Sequence, residues 1–324
     1  MRYCEEYFDD VRLVIDAMPD ITSLFNKRIC ITGATGMLCS AVVDIIALLN
    51  KEKNAGIKLI LAGRSKDKVA VRFDGLLTDG GYDFVFYDAV KGDASLPEAD
   101  FFIHGASNAD PAKMSSEPVE TMLSNVVGLK TVLDSAKNVK KSRVLFVSTG
   151  EIYGNMNSAV KDSYGSISAV DNADNNTSCN LLAEGDYGYV DTLNPRSCYP
   201  MSKRTAETLC ISYYQEYGTD VVIARSCHSY GPGITDSDSR ATAVFTRNAS
   251  AGKDIVMKST GDQVRSYCYT LDSASALLTI LLHGESAKAY NISNKNSIVS
   301  IRDMAESIAM EAGVKVIFEN PDDR

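Results

Sequence analysis

The chain has 324 residues, 45% of them apolar and 23% charged, with a formal net charge of −9 and no tryptophan. That length exceeds what one growing core usually fills, so one large α/β domain with an appended lobe, or two domains, is expected. The composition excludes a disordered or fibrous chain, and the acidic balance predicts no nucleic-acid or anionic-membrane partner, so any phosphate must be met by local geometry.

Residues 3–18 place Tyr3, Tyr7, Val11, Val14, Ile15 and Met18 at helical spacing, a docking helix ahead of the main domain. The same stretch carries Glu5, Glu6, Asp9 and Asp10 where a signal peptide needs a basic start. The apolar run Ala41–Leu49 is interrupted by Asp44 and is too short to span a bilayer, so a cytoplasmic protein is expected. Cys occurs at 4, 30, 39, 179, 198, 210, 227 and 268 without a CxxC pair, and none of the three His lies two to five residues from another or from a Cys. Neither a disulfide framework nor a metal site is predicted.

Next in chain order come a strand at Arg28–Thr32, a glycine turn and a helix over 37–49. Further strands are predicted at Ile57–Ala62, Tyr82–Tyr87, Phe101–His104 and Arg143–Ser148, with a helix over 117–137 between the last two. Strands alternating with helices imply right-handed crossovers and a parallel sheet covered on both faces. Residues 155–195, rich in Asn, Asp, Ser and Gly, read as a long surface insertion. A helix over 199–217 and a strand at Val221–Arg225 follow, and the remainder mixes short elements that should form a second lobe.

The segment Thr32-Gly-Ala-Thr-Gly36 sits between a strand and a helix, the context in which such glycines carry meaning. Gly33 suits a tight turn, Gly36 admits a pyrophosphate close to the main chain, and the helix from Met37 points free N–H groups and a positive dipole at it. Gly33, Thr35, Gly36, Met37 and Leu38 are therefore candidate dinucleotide-binding residues; the alternative is an ordinary βα turn. Cys39 stands at the third small position of the GxxGxxG spacing, so the helix is expected to ride slightly farther from the sheet. The second strand is followed by Ala62-Gly-Arg-Ser-Lys66, which offers no acid to an adenosine ribose. Arg64 can grip a 2′-phosphate, stack on adenine or point to solvent, which leaves NAD and NADP both open. Asp88, with Ala89 after it, is a candidate for contact with the adenine.

Tyr199-Pro-Met-Ser-Lys203 places a phenol and an ammonium four residues apart on one helix face. A free phenol titrates near pH 10, and a neighbouring cation should lower that value and make Tyr199 a base. Upstream, the strand over 144–147 runs into Ser148-Thr-Gly-Glu-Ile-Tyr-Gly154, at a sheet end where open α/β proteins bind ligands. Thr149 can share the substrate hydroxyl that Tyr199 deprotonates.

Together TGATG at 32–36, STGEIYG at 148–154, YPMSK at 199–203, HSYGPG at 228–233 and GDQVRSYCY at 261–269 resemble the extended short-chain dehydrogenase/reductase family of NAD-dependent sugar-nucleotide epimerases and dehydratases. The likeness runs from Lys27 to Pro321. It implies a Rossmann-type doubly wound parallel sheet with a smaller C-terminal substrate-binding lobe. By residue ranges that means a helical extension at 1–26, a mainly NAD(P)-binding domain at 27–195, and remaining Rossmann elements plus the lobe at 196–324.

Carried over by resemblance, Tyr199 is the base, Lys203 holds the nicotinamide ribose, Thr149 shares the sugar hydroxyl, and Glu151 assists proton transfer near C5 as a half-buried carboxyl of raised pKa. Asn125, His228, Arg240 and Arg265 become substrate-binding residues, and Asp238-Ser-Arg240 with Phe245 resembles a substrate segment. The stretch 196–210 and Glu151 look most like UDP-glucuronate decarboxylases. That implies a nucleotide-sugar substrate, oxidation at C4, loss of CO2 from a β-keto acid, re-reduction by a recycled cofactor, and a homodimer.

Three positions depart from the pattern: Gly150 where a Ser or Asp is usual, His228 in place of an Asn, and the long insertion. His228 introduces a group that titrates near neutrality. Relatives generally continue beyond a point such as Arg324. The alternatives are a 4-epimerase or 4,6-dehydratase, an NADP-dependent carbonyl reductase suggested by Arg64, and a non-catalytic dinucleotide sensor.

Overall fold

Short apolar runs buried on both faces build the centre of the protein in its computed structural model, which describes residues 3–77, 80–156 and 182–319. In chain order the first half forms α1 (Glu5–Ala17), β1 (Arg28–Thr32), α2 (Met37–Lys53), β2 (Lys58–Gly63), α3 (Lys66–Arg72), β3 (Tyr82–Phe86), β4 (Phe101–His104), α4 (Pro111–Ser116), α5 (Pro118–Lys137) and β5 (Arg143–Thr149). The second half adds α6 (Cys198–Tyr217), β6 (Asp220–Ser226), β7 (His228–Tyr230), α7 (Ala241–Ser250), β8 (Ile255–Met257), β9 (Val264–Tyr269), α8 (Thr270–His283), β10 (Ala289–Ile292), β11 (Ile298–Ser300), α9 (Ile301–Ala312) and β12 (Val316–Phe318).

Seven strands pair in the order β10-β6-β5-β4-β1-β2-β3, every pairing parallel. The order reverses between β1 and β4, which opens a crevice beyond the carboxyl ends of those strands, the usual ligand position in such sheets. One face is covered by α1, α2 and α8 over Val42, Ile46, Leu277 and Leu281, the other by α5 and α6 over Leu129, Val132 and Ala206. This is the Rossmann-type doubly wound sheet that the alternation of elements and the motif likeness imply.

A separate small core of Phe245, Met257, Ala305 and Ala309 lies between α7, α9 and the β8–β12 pair. A three-stranded sheet, β11-β9-β7, joins it to the main body. These elements are too short for sequence periodicity to separate, and their edges come from pairing. Helix α2 runs past the expected 49 to Lys53, because its last turn is polar and carries no apolar signal; Asn54, with φ of 51°, closes it in the left-handed region.

Asp44, which interrupts the apolar run of α2, is fully buried. Its oxygens accept from Tyr3 Oη at 2.8 Å, Tyr7 Oη at 2.6 Å and Arg72 Nη2 at 2.9 Å. Helix α1 therefore docks through this polar cluster as well as through Tyr7, Val11 and Ile15. It also reaches the end of β9, where Tyr269 Oη donates to Asp10 at 2.9 Å. Of the insertion expected at 155–195, residues 157–181 fall outside the described residues. Among the described residues no helix is long and apolar enough to cross a membrane.

Candidate active site

The turn after β1 meets the steric demands of a dinucleotide cradle. Gly33 has φ of 70°, and a Cβ there would come within 2.7 Å of the Ala106 nitrogen and of the Gly105 carbonyl carbon. Only glycine fits against that backbone. Gly36 caps α2 without any side-chain bond, so the first-turn N–H groups, at Met37 and Leu38, have no internal partner and face the crevice end of the sheet. An anion fits there. Thr35 is half-buried in the same turn.

Cys39 does not hold α2 away from the sheet. A Cβ on Gly105, just past β4, would lie 2.2 Å from Cys39 Sγ, so the missing glycine of the helix is replaced by one on the facing strand end. The expectation of a looser helix is corrected accordingly. Gly105→Ala should cost about 1–3 kcal/mol by overpacking, and adding Cys39→Gly should restore most of it; thermal denaturation of the two single variants and the double variant checks the coupling.

Arg64 is exposed beyond β2. Asp88 accepts from the Val90 N–H at 3.1 Å, which spends one carboxylate oxygen on its own turn, and Ala89 packs against α5 opposite Gly128.

Helix α6 crosses the end of β5 and brings Tyr199 and Lys203 to Thr149. Tyr199 is 7% exposed, and Thr149 at the end of β5 pulls the pKa of its hydroxyl down. One turn deeper, Lys203 is 2% exposed; its Nζ donates to the Val147 carbonyl at 2.7 Å and lies 4.7 Å from the Phe146 ring centre and 5.7 Å from that of Tyr199.

In this protein-only arrangement Tyr199 is not acidified as expected. Burial, and then the charge of Glu151, push its pKa up to about 12, against the pull of Thr149, Arg240 and Arg196. Burial also lowers Lys203 to about 7, because its ammonium has lost water and gained only one carbonyl. Between pH 7 and 10.5 the unfolded chain therefore binds this proton more tightly than the folded one. Cofactor-free protein should gain stability as pH rises through that window, a gain absent from Lys203→Met and measurable as the difference in denaturant midpoints.

Beneath them His104 is fully buried, its Nδ1 2.9 Å from Thr32 Oγ1; burial and the Lys203 charge hold it neutral, near a pKa of about 3.

Glu151 departs from the expected half-buried position. It is exposed, at 39% for the side chain, and both its oxygens face Arg196 Nη2, at 3.3 and 3.2 Å. Arg196 lies 45 residues away along the chain, in a short 3₁₀ turn capped by Asn194. No periodicity links the two positions.

Asn125 is also corrected. It is wholly buried, donating to Ser202 Oγ at 2.9 Å and to the Thr121 carbonyl at 3.0 Å, so it fastens α5 to α6 behind Lys203 and does not line the crevice.

The two arginines expected to bind substrate differ in their commitments. Arg240 grips Asp238 through Nε at 3.0 and 3.1 Å and Nη2 at 2.5 Å, and its Nη2 lies 3.9 Å from Met37 Sδ at the start of α2. Asp110 in turn accepts from Ser239 N and Oγ at 2.9 and 2.8 Å, pinning this segment to α4. Arg265, on β9, donates to the Val264 carbonyl, and no carboxylate pairs with it among the described residues.

His228 stands at the exposed start of β7, edge-on to Tyr267 at 5.9 Å between ring centres. Desolvation, then Arg265 and Arg240, lower its pKa to about 4, so it stays neutral at pH 7 and does not titrate near neutrality as expected.

Sequence reasoning also missed a buried network at the site's edge. Ser148 Oγ donates to Glu207 at 2.5 Å, Arg225 clamps Glu207 at 3.1 and 2.7 Å, and Arg225 also donates to Tyr153 Oη, Tyr187 Oη and the Glu184 carbonyl. It anchors the described end of the insertion to β6.

Known proteins resemble the chain in sequence and in fold. The chain is similar to UDP-glucuronic acid decarboxylase 6 of Arabidopsis thaliana, 29% identical over 92% of this chain and 79% of that protein. It is also similar to UDP-glucuronic acid decarboxylase 3 of the same plant, 28% identical over 92% and 79% of the two chains. Among solved structures, a UDP-glucose 4-epimerase from Thermotoga maritima with UDP-glucose superposes with a TM-score of 0.71, 19% identity, and coverage of 91% of this chain and 86% of that one. A dTDP-glucose 4,6-dehydratase from Bacillus anthracis with NAD gives 0.66, 20%, 90% and 84%. The profile of the NAD dependent epimerase/dehydratase family matches residues 29–293. With that match spanning most of the chain, the cradle after β1 and the Tyr199–Lys203 pair find their common explanation: the protein belongs to the NAD-dependent epimerase/dehydratase family.

Proposed function

We propose that the protein decarboxylates UDP-glucuronate, forming UDP-xylose, with an NAD that is regenerated in each cycle. The observation that carries this reading is the meeting of Tyr199, Thr149 and Lys203 at the end of β5 with Glu151 and Arg196 at their open side. The likeness to plant decarboxylases supports the choice of substrate.

NAD, when bound, supplies a hydride acceptor and donor and a positively charged ring. Gly33, Thr35, Gly36, Met37 and Leu38 would hold its pyrophosphate, Asp88 and Ala89 would edge its adenine, and Lys203 would bond its ribose. Thr149 and Tyr199 would share the C4 hydroxyl, and Tyr199 would take its proton and later return it. The high value of Tyr199 in the protein alone means that the base depends on positive charge arriving with the cofactor.

Once C4 is a ketone, the C5 carboxylate is a β-keto acid; CO2 leaves, its bonding electrons pass into the enolate, and a solvent proton is added at C5. Glu151, exposed beside Arg196, would assist that proton transfer. Arg265, paired with no carboxylate among the described residues, and neutral His228 would meet the diphosphate end, with Arg240 and Asp238 closing the pocket.

Helices α5 and α6 expose Val119, Met122, Leu123, Ile211 and Tyr214, an apolar surface suited to a homodimer.

Incubating the purified protein with UDP-glucuronate, UDP-glucose, UDP-galactose and dTDP-glucose, with mass spectrometric and NMR detection, tests the reading. Loss of CO2 from UDP-glucuronate alone supports it. Loss of water, or inversion at C4 without mass change, assigns a sister activity.

A further inference from the structure

We infer that Arg196 is the residue that receives the scissile carboxylate of the substrate, exchanging Glu151 for it during each turnover. This rests on the decarboxylase reading above and names a residue for a step that the reading leaves unassigned.

The carboxylate carbon is bonded to C5, next to the carbon whose hydroxyl Tyr199 must reach, so its partner has to lie beside Tyr199. Two guanidiniums act on the Tyr199 hydroxyl, those of Arg240 and Arg196. Arg240 is committed: three contacts bind it to Asp238, a carboxylate only 8% exposed, and removing that bond would strand a buried charge. Arg196 is not committed. Its single nitrogen meets Glu151 at 3.2 and 3.3 Å, and the two side chains are 43% and 39% exposed. An exposed pair of that kind is worth little, so an arriving carboxylate can displace it. Arg265, on β9, is not among the groups that act on the Tyr199 hydroxyl.

The exchange also suits the chemistry. A guanidinium locked permanently onto the carboxylate would stabilise the bound substrate more than the transition state, in which that charge moves away into the enolate. Arg196 regains Glu151 as neutral CO2 departs, so its charge does not go unpartnered.

The test is calorimetric binding of UDP-glucuronate and of UDP-xylose, which lacks the carboxylate, to NAD-loaded wild type, Arg196→Gln, Arg196→Lys and Glu151→Gln, with CO2 release measured alongside. Arg196→Gln should weaken UDP-glucuronate by about ten- to a hundredfold while UDP-xylose changes by less than about twofold. Arg196→Lys should recover part of the loss. Glu151→Gln should bind UDP-glucuronate about two- to fivefold more tightly, because the competing acid is gone, even as turnover falls. An unchanged ratio of the two affinities in Arg196→Gln, or weaker UDP-glucuronate binding by Glu151→Gln, overturns the inference. Wild-type protein that releases no CO2 yet shows the altered ratio keeps the carboxylate site and sinks the decarboxylase reading instead.

Discussion

Tyr199→Phe should lower turnover by about two to four orders of magnitude while the protein still folds and retains its dinucleotide. The phenyl ring fills the same buried space between Met114, Cys198 and the Lys203 chain, so packing changes little. What disappears is the one oxygen that joins Thr149 to the reacting hydroxyl. Single-turnover kinetics on the substrate, together with the amount of dinucleotide released on denaturation, separates the loss of the base from loss of the cofactor. Near-normal turnover from Tyr199→Phe would remove this hydroxyl from the mechanism. The high value of Tyr199 in the protein alone adds a direction: any change that weakens cofactor binding should also move the alkaline-side rise in rate to higher pH.

The second large effect is on stability. Asp44→Ala should cost about 3–5 kcal/mol, because it leaves the Arg72 guanidinium with only 11% of its side chain exposed and no carboxylate partner. It also leaves the hydroxyls of Tyr3 and Tyr7 without their acceptor, so α1 should detach before the sheet unfolds. For a chain of this size that is on the order of 10 °C in melting temperature. Limited proteolysis should show early cleavage between α1 and β1. As a control, Glu52→Ala removes an exposed partner of Arg12 and should change stability by less than about 0.5 kcal/mol. Equal melting temperatures for Asp44→Ala and Glu52→Ala would show that the cluster does not anchor the helix.

What could be read before folding, and what could not, divides along physical lines. The strand-turn-helix around Gly33 and Gly36 and the Tyr199–Lys203 spacing are local in sequence, so helical and strand geometry alone decides what they place together. The Glu151–Arg196 pair and the Gly105–Cys39 contact are not local; each depends on how separate elements meet at the sheet's end. Asn125 shows the opposite error. Its place in the chain suggests a substrate contact, but helix packing buries it fully and turns its amide nitrogen toward Ser202. The pKa of Tyr199 failed for a related reason: spacing predicts a neighbouring cation, but only the folded arrangement shows that burial of both groups outweighs their attraction.

The central claim is a hydride that leaves C4 of the sugar and returns to it within one active site. UDP-glucuronate deuterated at C4, given to the protein with unlabelled NAD, tests that claim most directly. The account predicts CO2 and a UDP-pentose that keeps its deuterium at C4, with no net accumulation of reduced cofactor. A pentose without the label, stoichiometric NADH, or a six-carbon product still bearing its carboxylate would contradict it.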